Sequence, residues 1–384
     1  MSEQQRLKIV HVINDLESGG AQRMLTKLVC NMDMCRFENV IVALRSGGVF
    51  GPVVRSAGVV VHSLNWISAG STANVLVRLT RILRQERPNV IQTWLYHADL
   101  LGLLCGFASG HKTVAWNVRC SDMQLSRYSV GLRCILNGLA FLSSWPAAVL
   151  FNSEAGKQHH LRLGYRPRRS LVIPNGFDEV LFQRDPAARS SLRRELNLPE
   201  GTQLIGMIAR YDPMKDHATF LAAAKLAARD ASGPYFIMAG RGISWDNRDL
   251  VTQVKAMGVE DQVRLLGERP DVLKIMAALD LLALPSAFGE GFPNVIGEAM
   301  ACGVPCVVSA VGDARLVVGD CGIVVPPGDA AALSGAWKEI LSLDAAARIS
   351  LGEAARLRIA DRFSISKIVG QYASLYASLN ASQQ

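Results

Sequence analysis

The chain has 384 residues, enough for two to three domains, and its 49% hydrophobic and 19% charged residues exclude an intrinsically disordered protein. The formal net charge of +8 is unevenly distributed, with +11 on residues 1–175 and −3 on residues 176–384. This asymmetry predicts an anionic partner for the first half.

The apolar and helical patterns in the first half of the sequence predict strands that alternate with helices, as an open parallel α/β sheet requires. It begins with a short strand at residues 8–13 and lacks the apolar segment of a secretory signal, so we expect a cytoplasmic chain. This strand leads into Gly19-Gly20 and a helix from about Ala21. Glycines at such a turn let backbone N–H groups approach an anion, although an ordinary tight turn has the same sequence.

Two polar side chains follow predicted strands of this half. His97 comes after the strand at residues 89–94, and Arg119 comes after the strand at residues 113–118. Ligands of open α/β sheets bind at the carboxyl ends of strands, which makes both residues candidates for a site. A structural histidine and a surface arginine are the competing interpretations.

The longest apolar stretch, residues 134–151, is interrupted by polar residues and a proline. It therefore predicts a core helix followed by a strand, not a membrane-spanning helix. Ser153 is placed to cap the next helix. The adjacent His159 and His160 point in different directions on a helix, and the eight cysteines lack metal-type spacing. We expect reduced thiols and no metal site.

The second half follows the segment LVIPNGFD, residues 171–178, whose proline and glycine suit a hinge. A charged helix at residues 187–197 precedes an apolar strand and a loop that carries Arg210 and Lys215. Two cations on one loop can neutralise a leaving diphosphate, and loose surface charges are the alternative. Two more strands follow, the second of which ends at Gly267.

The most informative stretch is SAFGEGFPNVIGEAMACGVP, residues 286–305. The apolar run before it predicts a buried parallel strand, Glu290 lies in a glycine-rich turn, and Pro293 suits a first helical position. Helical spacing then covers residues 294–302. The N–H groups at such a helix start suit a phosphate, and Glu298 is close enough to reach a ribose beside it.

This stretch resembles the E-x7-E signature of the retaining GT-B glycosyltransferases of family four, which use nucleotide-sugar donors. In that family the first glutamate holds hydroxyls of the donor sugar and the second holds the ribose. The resemblance assigns these roles to Glu290 and Glu298. It also implies donor contacts from the surrounding turn, at Gly291, Phe292, Pro293 and Asn294.

The resemblance covers nearly the whole chain and implies an α/β fold of two Rossmann-like, doubly wound domains facing a central crevice. Residues 1–178 would form the acceptor-side domain, joined by a C-terminal helix at residues 364–380. Residues 179–363 would form the nucleotide-sugar-binding domain. Arg210 and Lys215 match the family's Arg-x4-Lys pair, and they are expected to be catalytic together with Glu290 and His97.

Further site residues are implied by the same resemblance. Three are expected near the donor: Gly20 in the first glycine loop, Asn175 in an I-P-N-G-x-D segment, and Gly267. Arg119, with Ser121 and Asp122, matches an Arg-x-Ser-Asp element of transferases that build bacterial surface polysaccharides. We therefore expect Arg119 to contact the acceptor.

The chain contains no Asp-x-Asp motif that would chelate a divalent metal on the diphosphate. We expect no cofactor and no metal, so that charge on the leaving group is met by Arg210, Lys215 and the helix start after Gly291. No residue stands out as a covalent nucleophile, which agrees with the front-face displacement proposed for the family. Asp313 stands where many relatives have another residue, so its loop receives no role.

The expected partners are a UDP- or GDP-sugar, a lipid-linked polyprenyl-diphosphate glycan and the anionic inner face of the cytoplasmic membrane. Two arginine clusters predict the basic surface that such lipids attract: Arg78, Arg81, Arg84 and Arg87, and Arg162, Arg166, Arg168 and Arg169. No nucleic-acid recognition motif accompanies the charge. Transfer to a soluble acceptor, a nucleotide-sugar 2-epimerase and a binding subunit without turnover remain alternatives.

Overall fold

The computed structural model describes residues 6–121, 130–228 and 233–382. Contacts divide the chain into two compact units. We name residues 1–176 with 365–384 the N-terminal domain, and residues 177–364 the C-terminal domain. The chain leaves the first domain between Gly176 and Phe177 and returns to it between Ser364 and Ile365.

One parallel sheet forms the centre of the N-terminal domain. Its strands are β1 (Leu7–Ile13), β2 (Phe37–Ala43), β3 (Val60–Ser63), β4 (Val90–Trp94), β5 (Val114–Val118), β6 (Ala148–Phe151) and β7 (Ser170–Val172). They lie in the order β3-β2-β1-β4-β5-β6-β7. The order therefore reverses between β1 and β4, which pair from Ile9 with Val90 to Ile13 with Trp94.

Helices cover the two faces of this sheet. They are α1 (Gly20–Asn31), α2 (Gly51–Ser56), α3 (Thr72–Glu86), α4 (Tyr96–Ala108), α5 (Val130–Leu142), α6 (Glu154–Arg162) and the last helix of the chain, α15 (Ile365–Ala381). The apolar stretch before residue 151 forms α5 and β6, and Ser153 accepts a hydrogen bond of 3.0 Å from the Gly156 N–H at the start of α6. Both predictions are confirmed.

The C-terminal domain repeats the architecture with six strands. These are β8 (Leu204–Ile208), β9 (Tyr235–Ala239), β10 (Val263–Leu265), β11 (Leu281–Leu284), β12 (Cys306–Ser309) and β13 (Gly322–Val325). Their order is β10-β9-β8-β11-β12-β13, and the pairs are parallel. Here the order reverses between β8 and β11. The prediction of two Rossmann-like, doubly wound parallel domains is confirmed.

The helices of this domain are α7 (Pro186–Glu195), α8 (His217–Ala227), α9 (Arg248–Met257), α10 (Val272–Ala278), α11 (Asn294–Ala301), α12 (Ala314–Val318), α13 (Ala330–Ser342) and α14 (Ala345–Phe363). Because helices pack on both faces, every residue of β11 is buried, which explains its continuous apolar sequence. Pro293 was expected at the first helical position, but it is the extended residue before α11, which begins at Asn294.

A buried ion pair aligns the starts of β8 and β11. Asp280 accepts hydrogen bonds from the Leu204 N–H at 2.9 Å and from Arg193 at 2.8 Å. Arg193 is fully buried and also donates to the carbonyls of Thr202 and Ala278. Removing one partner of such a pair leaves an uncompensated charge, at a cost of about 3–5 kcal/mol. The two strands whose far ends carry the candidate residues are thus held in register.

Candidate active site

The candidate residues of the C-terminal domain converge where its strand order reverses. The loop after β8 carries Arg210 and Lys215, and the loop after β11 carries Glu290. β8 and β11 are neighbours in the sheet, although the residues that follow them are far apart in sequence. Ligands of open α/β sheets bind outside the carboxyl ends of the strands at this kind of position.

Glu290 is the centre of a buried polar cluster. Its Oε1 atom accepts a hydrogen bond from Lys215 Nζ at 2.5 Å and another from Ser286 Oγ at 2.6 Å. The side chains of Lys215 and Glu290 are 13% and 8% exposed. The sequence interpretation assigned Lys215 to the diphosphate and Glu290 to the sugar, and the structure brings the two residues into direct contact. Their charges balance each other in the structure.

The loop between β8 and α8 is shaped by short-range hydrogen bonds. Asp212 accepts from the Met214 N–H at 2.9 Å and from Arg210 Nε at 3.0 Å. Asp216 then adopts a left-handed conformation (φ 54°) and caps α8 through Thr219. The Arg210 side chain is 47% exposed, whereas the Lys215 side chain is largely buried. The two cations look equivalent in the sequence, but they differ in their exposure to solvent.

The glycine-rich turn before α11 needs its glycine at one position. Gly289 has φ +77°, and the space beside it is filled by the Met214 side chain. Phe292 is buried between Phe177 and Phe363, with ring centroids 6.1 Å and 5.3 Å away. Phe292 therefore anchors the turn to the core of its own domain, and Gly291, Pro293 and Asn294 lie next to this anchor at the helix start.

Glu298 is the fifth residue of α11 and is only 4% exposed. The preceding Gly297 packs against the Phe177 ring so closely that a side chain there would collide with it. Burial, together with the nearby Glu298 charge, raises the pKa of the Cys302 thiol to about 12. A carboxylate is thus held inside the domain about one helical turn after the start of α11, which is compatible with the predicted contact to a ribose.

Gly267 follows β10 in a left-handed conformation (φ +71°), and no atom lies within 4 Å of the position a side chain would take. Its carbonyl accepts a hydrogen bond of 2.7 Å from the Gly240 N–H. The loop after β10 is therefore attached to the loop after β9. The space beside Gly267 is compatible with the predicted contact to a nucleotide base.

The sequence interpretation missed two serines that support Glu290. Ser286 donates to the glutamate, and Ser309, at the end of β12, donates to the Ser286 carbonyl at 2.5 Å. Ser286 could have been found from the sequence, because it directly follows the strand that precedes Glu290. Ser309 could not, because only the pairing of β11 with β12 brings it near.

In the N-terminal domain the strand order reverses between β1 and β4, and Gly20 and His97 follow these two strands. Gly20 is the first residue of α1. His97 is the second residue of α4, and Leu95, the residue before this helix, has a strained backbone with φ 74° and ψ 156°. A non-glycine residue in this region costs on the order of 1–3 kcal/mol, and such strain clusters at functional sites.

The surroundings of His97 favour the neutral imidazole. Its ring lies edge-on to Trp66, with centroids 5.8 Å apart. Partial burial and the positive charge of Arg45 lower the pKa of His97. Because the pKa is lowered, the ring stays neutral at neutral pH, where one nitrogen can donate a hydrogen bond and the other can accept one without adding charge.

Arg119 and Asn175, expected at acceptor and donor respectively, hydrogen bond to each other. The guanidinium lies 5.2 Å from the centroid of the Trp94 ring and also contacts Tyr372 of α15. Asn175 is buried. Arg119 thus joins β5, the segment before Gly176 and the last helix within one domain. Ser121 is buried, and Asp122 lies outside the described residues.

The buried histidines have local hydrogen-bond partners or packing. His160 Nδ1 donates to the Gly156 carbonyl at 2.7 Å, which leaves Nε2 of the neutral ring to accept from Tyr96 Oη at 2.8 Å, and burial lowers the pKa of His160 to about 4. His11 lies in β1 and contacts Asn39 at 3.0 Å, with its pKa also lowered to about 4 by burial. Among the described residues, no group of three or more His, Cys, Asp or Glu side chains is arranged to hold a metal ion.

Comparison with known proteins matches both parts of the chain to glycosyltransferase families. Residues 18–180 match the model described as Glycosyltransferase Family 4, and residues 202–342 match Glycosyl transferases group 1. The N-acetyl-alpha-D-glucosaminyl L-malate synthase of Bacillus anthracis is 30% identical over 55% of this chain and 54% of its own length. The UDP-Gal:alpha-D-GlcNAc-diphosphoundecaprenol alpha-1,3-galactosyltransferase of Escherichia coli is 26% identical over 62% of this chain and 61% of its own.

The aligned regions therefore span between half and two thirds of these curated relatives. Among solved structures, Anabaena HepE in complex with UDP has a TM-score of 0.83 and 24% identity, covering 97% of this chain and 100% of its own. At this identity the likeness concerns the fold. The first part of the chain thus matches a model of glycosyltransferase family 4, the second part matches glycosyl transferases group 1, and the whole chain has the GT-B fold.

Proposed function

We propose that this chain transfers a hexose or N-acetylhexosamine from a nucleotide sugar, with retention of anomeric configuration, to a lipid-linked polyprenyl-diphosphate glycan. The buried cluster of Ser286, Glu290 and Lys215 at the carboxyl edge of the C-terminal sheet is the observation that carries this proposal. It combines an acceptor for sugar hydroxyls with a cation for phosphate. Glu298 adds a second buried carboxylate on the helix that follows.

In this proposal Glu298 accepts hydrogen bonds from the ribose, and Glu290 accepts them from the sugar. The diphosphate lies at the start of α11, where the N–H groups of the first turn and the helix dipole favour an anion. Gly267 leaves room for the base, and Gly20 and Asn175 complete the donor contacts. A UDP- or a GDP-sugar satisfies this arrangement, because none of these contacts reads the base by its hydrogen-bonding groups.

The proposed reaction breaks the bond between the anomeric carbon and the phosphate oxygen. The acceptor oxygen forms its bond on the same face, and its proton passes to the leaving phosphate. Lys215 and Arg210 stabilise the negative charge that grows on the diphosphate. We propose that these cations serve without a metal ion, since the chain has no Asp-x-Asp motif. His97 would position the sugar, and Arg119 the acceptor.

A surface of the N-terminal domain supports a membrane-bound acceptor. Phe141 and Trp145, at and after the end of α5, are 81% and 53% exposed. Ser143 between them accepts a hydrogen bond of 2.7 Å from the Arg166 N–H, which brings the segment with the exposed Arg162, Arg166 and Arg168 beside the two rings. Exposed aromatic rings flanked by arginines suit the boundary between lipid headgroups and acyl chains. We name these five residues the aromatic–arginine surface.

The cluster of Arg78, Arg81, Arg84 and Arg87 supports membrane attachment less uniformly than the sequence predicts. Arg81, Arg84 and Arg87 are exposed, but Arg78 donates to the carbonyls of Leu64 and Ser63. The prediction that all four arginines form one basic face is therefore wrong for Arg78, which is held against the backbone. Three to four arginines near an anionic leaflet contribute roughly 3–4 kcal/mol, enough for reversible attachment to the inner face of the cytoplasmic membrane. Within the described residues, no helix has the length and apolar character to span a membrane.

Transfer to a small soluble acceptor is the second candidate. It is favoured by the Bacillus anthracis relative, whose name specifies L-malate, a small molecule. A binding subunit without turnover would keep the donor contacts but release no nucleotide. These candidates differ in what they consume, so they can be separated with purified protein.

The first experiment screens UDP- and GDP-sugars by thermal shift and then follows nucleotide release from the stabilising donor. Adding a polyprenyl-diphosphate-linked sugar in vesicles should accelerate release at least about tenfold over L-malate at equal concentration. Faster release with a soluble acceptor would overturn the lipid-linked assignment. Donor binding without release under any condition would favour the binding subunit. EDTA should leave the rate unchanged, and recovery by Mg²⁺ after a loss would contradict the metal-free mechanism.

A further inference from the structure

The loop after β3 turns back to the end of β2 and brings a tryptophan to the carboxyl edge of the N-terminal sheet. The Asn65 N–H donates to the Arg45 carbonyl at 3.2 Å, and the Trp66 N–H donates to the Leu44 carbonyl at 2.8 Å. The indole N–H of Trp66 donates to the Ser68 carbonyl at 2.9 Å. Hydrogen bonds from both its backbone and its side chain therefore hold Trp66 in place.

Three side chains from separate elements meet at this edge, and we name them the edge cluster: Arg45 after β2, Trp66 after β3 and His97 in α4. The rings of Trp66 and His97 have centroids 5.8 Å apart. After burial, the positive charge of Arg45 is the second cause that lowers the pKa of His97, which places the guanidinium near the imidazole. Arg45 is exposed, and the two rings are half-buried.

Arg45 and Arg119 differ in what their guanidinium groups contact. Arg119 donates to Asn175 and, at 3.4 Å, to Asn117, and it lies over the Trp94 ring. Within the described ranges of the chain, the Arg45 guanidinium makes no hydrogen bond or ion pair. Arg45 can therefore bind an anion without giving up a contact inside the protein.

The edge cluster combines three contacts that suit a sugar carrying a phosphate. A guanidinium binds two phosphate oxygens at once. The flat indole of Trp66 offers an apolar face to the C–H groups of a sugar ring, and the neutral imidazole of His97 can share a hydrogen bond with a hydroxyl. A neutral sugar would leave Arg45 without a partner, and a bare phosphate would leave the indole without one.

We propose that Arg45 and Trp66 make the enzyme specific for an acceptor sugar that carries a phosphate. This inference rests on the proposed function, because it assumes that the acceptor binds at the N-terminal domain. A lipid-linked sugar diphosphate and a soluble sugar phosphate both present this group. Arg45 thereby supplies a cation for the acceptor that is distinct from Arg119.

The binding test uses the full chain saturated with UDP or GDP, whichever binds, so that the donor site is filled. Calorimetry compares the 1-phosphates of glucose, galactose and N-acetylglucosamine with the methyl glycoside of each sugar and with inorganic phosphate. The wild type should bind at least one sugar phosphate about tenfold more tightly than its methyl glycoside or inorganic phosphate. Arg45→Ala should abolish that preference and leave affinity for the methyl glycoside within about twofold.

Arg36→Ala is the matched control, because Arg36 is exposed directly before β2 and Arg45 follows the other end of the same strand. It should bind every ligand as the wild type does. Trp66→Leu should weaken the sugar phosphate and its methyl glycoside alike, by at least several-fold, and leave inorganic phosphate unchanged, since only the flat indole is lost.

Nucleotide release identifies the source of the phosphate, with a lipid-linked sugar diphosphate in neutral vesicles in one arm and the free sugar phosphate in the other. For the acceptor that the wild type uses, Arg45→Ala should raise KM about tenfold and leave kcat within about twofold. Unchanged KM and unchanged affinity in Arg45→Ala would overturn the inference, as would a wild type that binds no sugar phosphate more tightly than its methyl glycoside. A wild type that releases no nucleotide from any donor would refute the proposed function, whereas the binding test would still decide the role of Arg45.

Discussion

In the C-terminal domain the candidate residues touch one another. Lys215 and Ser286 meet on one oxygen of Glu290, and Ser309 supports Ser286 from the next strand. In the N-terminal domain Arg119 and Asn175 hydrogen bond to each other, whereas His97 is held separately by a strained turn. The two sheets share a topology, yet the C-terminal one presents a cluster of opposite charges and the N-terminal one presents a hydrogen-bonded pair and a separate histidine. Substitutions should therefore be coupled throughout the C-terminal cluster, whereas a substitution of His97 should be independent of one at Arg119.

The largest effect is expected from the buried cation. Lys215→Ala should lower turnover about 10²- to 10³-fold with a smaller loss of donor affinity, because its attraction grows as the diphosphate leaves. Arg210→Ala should cost about tenfold, since that side chain is 47% exposed and paired with Asp212. Steady-state kinetics would measure both, with the exposed Lys225→Ala as the control. Equal losses of turnover in Lys215→Ala and Arg210→Ala would contradict the expectation that the buried cation contributes more than the exposed one.

The second effect concerns the ribose. Glu298→Ala should weaken nucleotide binding by roughly 2–3 kcal/mol, about 30- to 150-fold, because two hydroxyls lose a charged acceptor. Calorimetry with the free nucleotide measures this directly. Glu260→Ala, at an exposed glutamate of the same domain, provides the comparison. Unchanged nucleotide affinity in the Glu298 variant would remove this residue from the site.

The third effect tests the N-terminal domain as the membrane-facing one. The wild type should sediment with anionic vesicles at low salt and be released by about 0.5 M salt, as screening shortens the Debye length. Replacing Phe141 and Trp145 together by serine should weaken sedimentation about tenfold, because their rings no longer leave water. Trp245→Ser, at an exposed tryptophan of the C-terminal domain, should change nothing. Equal recovery of the wild type with neutral and anionic vesicles would favour a soluble acceptor.

The last effect is on stability and its pH dependence. Asp99 in α4 is fully buried, and burial raises its pKa to about 7, although Thr93 donates to it at 2.5 Å. In the unfolded chain the Asp99 carboxyl has its ordinary pKa of 3.8, so between pH 3.8 and about 7 it is ionised in the unfolded state and still protonated in the folded state. The free energy of unfolding therefore falls as the pH rises towards 7. This contribution should make the wild type about 2–3 kcal/mol less stable at pH 8 than at pH 5, and Asp99→Asn should abolish that difference.

Calorimetric unfolding at the two pH values measures this change, with the exposed Asp246→Asn of the C-terminal domain as the control. The control should unfold like the wild type at both pH values. If Asp99→Asn shows the same pH dependence as the wild type, Asp99 is not the group that titrates.

The sequence predicted what depends on local patterns. Apolar runs located β11 and the helix–strand pair α5 and β6, and the E-x7-E spacing located Glu290 and Glu298 on a turn and a helix. It could not predict contacts that depend on strand order. The approach of Lys215 to Glu290 requires β8 to lie beside β11, and the approach of Asp313 to Gly291 requires β12 to lie beside β11.

Arginines show the same limit at the surface. Spacing by three residues placed Arg78 with its neighbours on one helix face, but two carbonyls at the end of β3, those of Ser63 and Leu64, accept hydrogen bonds from it. Phe141 and Trp145 show the reverse case: an apolar helix is expected to be buried, but both side chains are exposed. Only the packing of α5 in the folded domain shows which of its residues face solvent. Local sequence gives a side chain its chemistry, and its neighbours decide whether that chemistry is available.

The most direct test of the account is the difference between a nucleotide and its sugar conjugate. Calorimetry would compare UDP with UDP-glucose, or GDP with GDP-mannose, for the wild type, Glu290→Gln and the exposed control Glu339→Gln. If Glu290 holds the sugar, the free nucleotide should bind within about twofold of wild type while the conjugate loses about tenfold, the cost of one charged hydrogen bond. Equal losses for both ligands, or no loss for either, would contradict the assignment.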